Sequence, residues 1–316
     1  MNRTALITGA GGFVGHILRQ YLSDRGWTVR CCDARAPADD PDWFTCDVSD
    51  ARSVDALLEW AGGEVTHVFH LAAITFVPES GRDPHRAFDV NLQGTVLLTD
   101  AVRRHAPSAR FVFIGSAEVY GPPRTLPMDE QHPINPTNPY AISKAAADLY
   151  CGYLHAAGLL DVVRVRPFNH SGPGQSDAFV LSSFAHQIAR IEAGKEPPVL
   201  RVGNLEARRD FSHVSDVVRA YEALALEGQS GEVYNVCSGC AVSIRDALEG
   251  LLNVAGASIR VEHDPARMRP VDIPEMWGTH AKLSARTGWT PRISFDALLC
   301  DLIGYWRLSE HGKDEG

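Results

Sequence analysis

The sequence predicts an α/β protein: a doubly wound parallel sheet, followed by a smaller mixed α/β lobe. Three observations carry this. Short apolar runs near residues 4–8, 28–32, 66–71, 109–114 and 161–166 alternate with amphipathic helical patterns near 12–25, 51–61, 84–105 and 138–157. Strand-length runs separated by helix-length segments are the signature of βαβ units, whose right-handed crossovers put helices on both faces of a parallel sheet. The first run opens into a glycine-rich turn, Gly9-Ala10-Gly11-Gly12-Phe13-Val14-Gly15. After residue 167 the punctuation changes, with Pro167, Gly172, Pro173 and Gly174 crowding one loop and Pro197-Pro198 marking another.

That change divides the chain into a first domain over 1–167 and a lobe over 168–316. Helical patterns near 177–194, 212–227, 243–255 and 294–308 there mix with strand-like Val199–Val202 and Glu232–Val236. The second unit is expected to be discontinuous, its chain returning to the first domain near 212–240. Cys31 and Cys32 fall in an apolar run and are expected to be buried.

Composition bounds the function. With 316 residues, 45% of them hydrophobic, the chain can bury a sizeable core. Thirty Lys and Arg against 39 Asp and Glu give a formal charge of −9. Without a basic tract this argues against a nucleic-acid partner. Seven cysteines without scaffold spacing point to a reducing compartment. Cys237-Ser238-Gly239-Cys240 has redox-motif spacing but no second CxxC to complete a zinc site, so no metal is expected. No secretory or membrane-spanning apolar segment is visible, and the expected location is cytoplasmic.

Glycines 9, 12 and 15 form GxxGxxG, a spacing variant of the dinucleotide fingerprint. Such a turn allows the backbone to approach a pyrophosphate, and the helix that follows offers its free N–H groups to the phosphates. The turn follows a strand and opens a helix, the context that gives the motif weight. The domain is therefore of Rossmann type. Asp33 ends the second run, 18 residues after Gly15. A carboxylate there accepts the adenosine ribose hydroxyls and repels a 2′-phosphate, favouring NAD(H). Arg35, two residues on, could instead pair with that phosphate, so NADP(H) stays open.

At the other end, Tyr140 and Lys144 stand four residues apart and share one helix face. An ammonium beside a phenol is expected to lower the tyrosine pKa toward working pH for acid/base chemistry. Ser116 follows the apolar run Phe111–Ile114 and so lies at a strand's C-terminal end, where ligands bind in open α/β sheets. Its hydroxyl could donate to a substrate carbonyl oxygen.

Together with His70-Leu71-Ala72-Ala73 and Asn91, these motifs resemble the extended short-chain dehydrogenase/reductase family over essentially the whole chain. The resemblance implies an NAD(P)-dependent enzyme with a Ser116–Tyr140–Lys144 catalytic set. It also implies that Phe13, Val14, Asp47, Val48, Leu71, Ala72, Ala73, Asn91 and Pro167 join Gly9, Gly12, Gly15, Asp33, Arg35, Tyr140 and Lys144 around the cofactor. Asn91 would support the active-site helix and its proton relay.

The strings Arg166–Gln175, Val202–Glu206, Arg208–Phe211, Tyr234–Gly239 and Asp264–Arg269 are similar to the GDP-6-deoxy-D-mannose reductase branch of that family. That branch reduces a GDP-linked 4-keto-6-deoxy sugar, often as a homodimer through helices here placed near 84–105 and 138–157. The resemblance puts Thr75, Phe76, Glu118, Asn169, Val180, Arg209 and Arg269 at the substrate, the two arginines on its diphosphate.

Glu118 departs from a simple reductase, because sugar 4,6-dehydratases carry a glutamate at this place as a base. Ala117, however, stands where many of them carry an aspartic acid. A dehydratase or a 4-epimerase with recycled cofactor is the alternative. A non-catalytic dinucleotide sensor is more remote, since such proteins typically lack the Tyr/Lys pair.

Overall fold

The computed structural model describes residues 3–37, 39–256, 258–267 and 273–311. The chain opens with β1 (Thr4–Thr8), α1 (Phe13–Asp24), β2 (Thr28–Asp33), β3 (Trp43–Thr45), α2 (Ala51–Ala61) and β4 (His67–His70). Then come α3 (Val77–Arg82), α4 (Pro84–Phe88), a π-helical turn over Asp89–Gln93, α5 (Gly94–His105), β5 (Arg110–Ile114), α6 (Pro139–Ala156) and β6 (Asp161–Pro167). The second half runs β7 (Asn169–Ser171), α7 (Val180–Glu192), β8 (Val199–Val202), β9 (Arg208–His213), α8 (Val214–Glu227), β10 (Val233–Val236) and β11 (Ala241–Ser243). It ends with α9 (Ile244–Ala255), β12 (Arg260–His263), β13 (Glu275–Met276), α10 (Ala281–Thr287) and α11 (Phe295–His311).

Seven strands form one parallel sheet in the order β10-β6-β5-β4-β1-β2-β3. The order reverses between β1 and β4, and that switch point is where ligands bind in open sheets. Every residue of β1 is buried, as a strand covered on both faces requires. On one face α1 and α8 pack through Leu18, Leu22, Val217, Tyr221 and Leu224 against Ile7, Ile114 and Val165. On the other, α2, α5 and α6 pack through Val54, Leu57, Leu98, Ala147 and Leu154 against Leu6, Phe111 and Phe113. A third core joins α7, α9 and α11 through Phe184, Ile188, Leu248, Leu251, Leu302 and Ile303. From the second half, β10 adds to β6 and α8 shares its core with α1. Cys31 and Cys32 are buried in β2 as expected.

The structure adds elements that periodicity does not reveal. β3 is a three-residue edge strand, and β7, β9, β11 and β13 are short strands of a separate sheet. Runs this short carry too few alternations to register. The helix expected over 84–105 runs through, but not as a regular α-helix. Asp83 caps α4 by accepting from Arg86 N at 3.0 Å, and the ladder then passes through the π turn before α5. No described helix is long and apolar enough to cross a membrane.

Candidate active site at the sheet's switch point

A cleft of about 800 Å³ opens above the C-terminal ends of β1, β4, β5 and β6. Its first wall is the glycine turn. Gly9 has φ +70°, and a Cβ there would come within 2.7 Å of Ala72 N, because the loops after β1 and β4 touch at the switch point. A Cβ on Gly15 would lie 2.3 Å from Gly9 O, so α1 can sit this close to β1 only with glycine there. Gly12 caps α1 without a side chain to satisfy the first-turn N–H groups, and no acidic residue occupies that turn. Those donors and the positive end of the helix therefore suit a phosphate.

Asp33 stands at the end of β2 on the same wall, its Oδ2 accepting from Gly11 N at 3.1 Å and its Oδ1 from Arg35 N at 3.2 Å. A carboxylate with two oxygens retains lone pairs for ribose hydroxyls. Arg35 is exposed beside it. Asp47 and Val48 continue the wall, with Asp47 held by Arg86 at 3.0 Å and by Ser49 Oγ at 2.6 Å. Leu71, Ala72 and Ala73 form the opposite lip. These residues fit a dinucleotide, adenosine toward β2 and nicotinamide toward β5 and β6.

At the nicotinamide end the cleft meets Ser116, Glu118, Tyr140, Lys144 and Pro167. Asn138 caps α6 by accepting from Ala141 N at 2.9 Å, and Pro139 fills the first helical position. This fixes the helix start one residue before Tyr140. Tyr140 and Lys144, four apart, both face the cleft, with Lys144 only 2% exposed. The Ser116 hydroxyl accepts from Glu118 N at 3.2 Å and lies beside the Tyr140 phenol.

The electrostatics correct one expectation. Lys144 does not pull the phenol down: burial pushes Tyr140 up to about 12, and the Ser116 hydroxyl offsets this only in part. The Lys144 ammonium donates instead to Ile114 O at 2.5 Å and lies 4.6 Å from the Phe113 ring centroid. Burial lowers it to about 8. Desolvation outweighs pairing here because both side chains are sealed against the β5 end.

Three assigned residues lie away from the cleft wall. Asn91 is buried in the π turn, its amide used up by Ile74 N at 2.8 Å, Ile74 O at 3.1 Å and Ser143 Oγ at 2.9 Å. It ties the loop after β4 to the helix that carries Tyr140. Val180 begins α7 and packs on the third core, while its neighbour Phe179 reaches the wall and meets Phe76 edge-on at 5.9 Å. Arg209 is buried in β9, flanked by β11 and β13, with Nη1 donating to Arg208 O at 2.9 Å. Arg269 lies outside the described residues. Thr75, Phe76, Glu118 and Asn169 do line the cleft. So does His170, which no sequence motif singles out. Its Nδ1 lies 3.0 Å from Phe168 O, and its ring stands 6.4 Å from that of Phe13, joining β7 to the glycine turn. Only its place after Asn169 could have flagged it.

Fold and cleft together are those of the extended short-chain dehydrogenases/reductases, oxidoreductases that bind nicotinamide dinucleotides. Comparison with known proteins narrows this. The family model described as GDP-mannose 4,6 dehydratase matches residues 6–302, and the chain belongs to that family. It is 38% identical to GDP-6-deoxy-D-mannose reductase of Pseudomonas aeruginosa over 97% of this chain and 98% of that one. The structure of RMD from Pseudomonas aeruginosa complexed with NADPH superposes with a TM-score of 0.88 at 36% identity, covering 98% of this chain and all of the other. A UDP-glucose 4-epimerase of Thermus thermophilus, solved in complex with NAD, gives 0.85 at 29% identity, over 96% of this chain and 99% of that one.

Proposed function

We propose that this chain reduces the 4-keto group of GDP-4-dehydro-6-deoxy-D-mannose to GDP-D-rhamnose, using NADH or NADPH. The observation that carries this reading is a protonated phenol beside Ser116 on the wall of the cleft that the glycine turn opens. The reduced dinucleotide supplies the hydride. A phenol held near 12 stays protonated at neutral pH, which suits an acid that must donate to a developing alkoxide. Ser116 hydrogen-bonds the same substrate oxygen, and the buried Lys144 ammonium, lowered to about 8, passes a proton to the phenolate left after transfer and regains one from solvent. Asp33 favours NAD(H), while Arg35 on the same wall accommodates a 2′-phosphate. RMD of Pseudomonas aeruginosa was solved with NADPH.

Glu118 sustains a second reading. Its carboxylate lines the cleft near Asn138 Nδ2 (3.5 Å), where a 4,6-dehydratase would need a base. Ala117 beside it is buried and offers no acid, which favours the reductase.

A homodimer also belongs to this proposal. Ile142, Leu149 and Tyr153 lie along one side of α6, the last two 57% and 58% exposed, an apolar stripe that a second copy would cover.

The test is Tyr140→Phe. The variant keeps its affinity for NAD(P)H within about twofold and loses at least ~10²-fold in turnover, as loss of a positioned acid requires. Fluorescence titration and product analysis read the two quantities, and retained turnover removes Tyr140 from the chemistry.

A further inference from the structure

Asp148 stands one helical turn beyond Lys144 and two beyond Tyr140, so the three follow one face of α6. It is wholly buried, and two guanidiniums from β6 hold its carboxylate. Arg166 donates from Nε to Oδ2 at 2.9 Å and from Nη2 to Oδ1 at 3.0 Å, and Arg164 donates from Nη1 to Oδ1 at 3.0 Å. The cluster lies directly behind the catalytic strand end. A Cβ on Gly115 would come within 3.6 Å of Asp148 Oδ2, and Gly115 is flanked by Ser116 and by Ile114, whose carbonyl receives the Lys144 ammonium. Burying such a cluster costs free energy, and apolar side chains of similar volume could join α6 to β6 without that cost. Packing therefore leaves the charges unexplained.

Lys144 is sealed from water, and burial lowers it to about 8, with Cys151 and Asp148 opposing the fall. Of the other described groups around the ammonium, burial pushes the Cys151 thiol up and the His70 ring down to about 3, so both are neutral. The Tyr140 phenol is protonated, and Glu118, in the turn after β5, acts on that phenol. That leaves the Asp148 carboxylate, one turn away in surroundings of low dielectric, where an opposite charge counts for most.

We propose that Asp148 is a positioning residue of the proton transfer: fixed by Arg164 and Arg166, its carboxylate keeps the buried Lys144 side chain an ammonium, ready to reprotonate the tyrosine. This rests on the roles given to Tyr140 and Lys144 above. Asp148 lies off the cleft wall and takes no part in binding sugar or dinucleotide.

The experiment follows kcat against pH with NAD(P)H and GDP-4-dehydro-6-deoxy-D-mannose, for wild type, Asp148→Asn and Asp148→Glu, with circular dichroism as the check on folding. Wild-type kcat falls as pH rises through about 8, where Lys144 gives up its proton. In Asp148→Asn the fall moves to about pH 7 or below, the effect of losing a neighbouring opposite charge. The rate then drops about fivefold at pH 8 and hardly at pH 6. Asp148→Glu keeps the charge and keeps the fall near pH 8. A role in packing alone would lower the rate by one factor at every pH. Should Asp148→Asn fail to fold, the double variant with Arg166→Gln leaves no buried guanidinium of residue 166 unpaired, and its kcat falls at the same lowered pH. A fall that stays near pH 8 in either folded variant, or that moves equally in Asp148→Glu, overturns the proposal and leaves the reductase reading intact. A wild type that does not turn over the keto sugar overturns both.

Discussion

His70 sits at the end of β4 with 1% exposure, between Thr8 Oγ1 at 2.7 Å and Thr95 Oγ1 at 3.0 Å. Thr95 donates to Asn91 O at 2.7 Å, so it must accept from Nε2–H, which leaves Nδ1 to accept from Thr8. The ring is neutral by construction. Burial lowers its pKa to about 3. A second proton would strand a charge in the core and break the Thr8 bond. The sign follows. Above about 6.5 the unfolded histidine is also neutral and the arrangement contributes fully. As pH falls from there toward about 3 the unfolded chain takes up a proton that the folded one refuses, and stability drains away. At pH 5 this amounts to about 2 kcal/mol. Denaturant unfolding at pH 7.5 and pH 5 should show a drop that is smaller by that amount in His70→Gln; an equal drop in both proteins would refute the assignment. In sequence His70 is legible only as part of a family string, because a histidine in an apolar run does not announce its partners. The Tyr140–Lys144 pair is legible only together with the glycine turn and the Ser116 strand end, because a tyrosine and a lysine four apart are a common pattern. The direction of the tyrosine's shift is not legible, since spacing carries no information about desolvation.

At the scale of elements, the turn between β1 and α1 is the most legible feature, because only glycine satisfies both its positive φ at Gly9 and its packing at Gly15. A Gly15→Ala substitution drives a methyl group to within 2.3 Å of Gly9 O and 2.7 Å of Ala10 Cα, both backbone atoms that cannot swing away. The helix must retreat from the strand and carry its N–H groups off the phosphate position. Dinucleotide affinity should fall by ~10²-fold or more, with overpacking costing about 1–3 kcal/mol of stability. Isothermal titration checks the first figure, and wild-type affinity in the variant would contradict the turn's role. The helix over 84–105 reads as continuous because its apolar period hardly falters. The π turn that buries Asn91 against Ile74 and Ser143 depends on tertiary contacts that no local pattern encodes. Val180 differs from expectation for a similar reason: a one-residue difference at a helix start exchanges it for Phe179 on the wall.

For the whole molecule, alternation of runs predicts a parallel sheet, and its last strand comes from the stretch near 212–240 that the sequence expects to return to the first domain. β10 joins β6 across the entire excursion through β7, β8, β9 and α8, a pairing set by the core that α8 shares with α1. The outward face of α6 makes a prediction at this scale. Replacing Leu149 with arginine places a charge in the proposed helix–helix seam, and light scattering should show monomer where wild type shows dimer. A wild-type monomer would count against that surface. A reductase consumes its reduced cofactor, whereas a dehydratase or epimerase regenerates it. Mixing the protein with NADH or NADPH and GDP-4-dehydro-6-deoxy-D-mannose, following absorbance and identifying the C4 epimer, separates the two directly. One reduced dinucleotide oxidised per sugar, with GDP-D-rhamnose formed, is the result expected; sugar converted with no net change in the dinucleotide, as a dehydratase or epimerase would give, contradicts it.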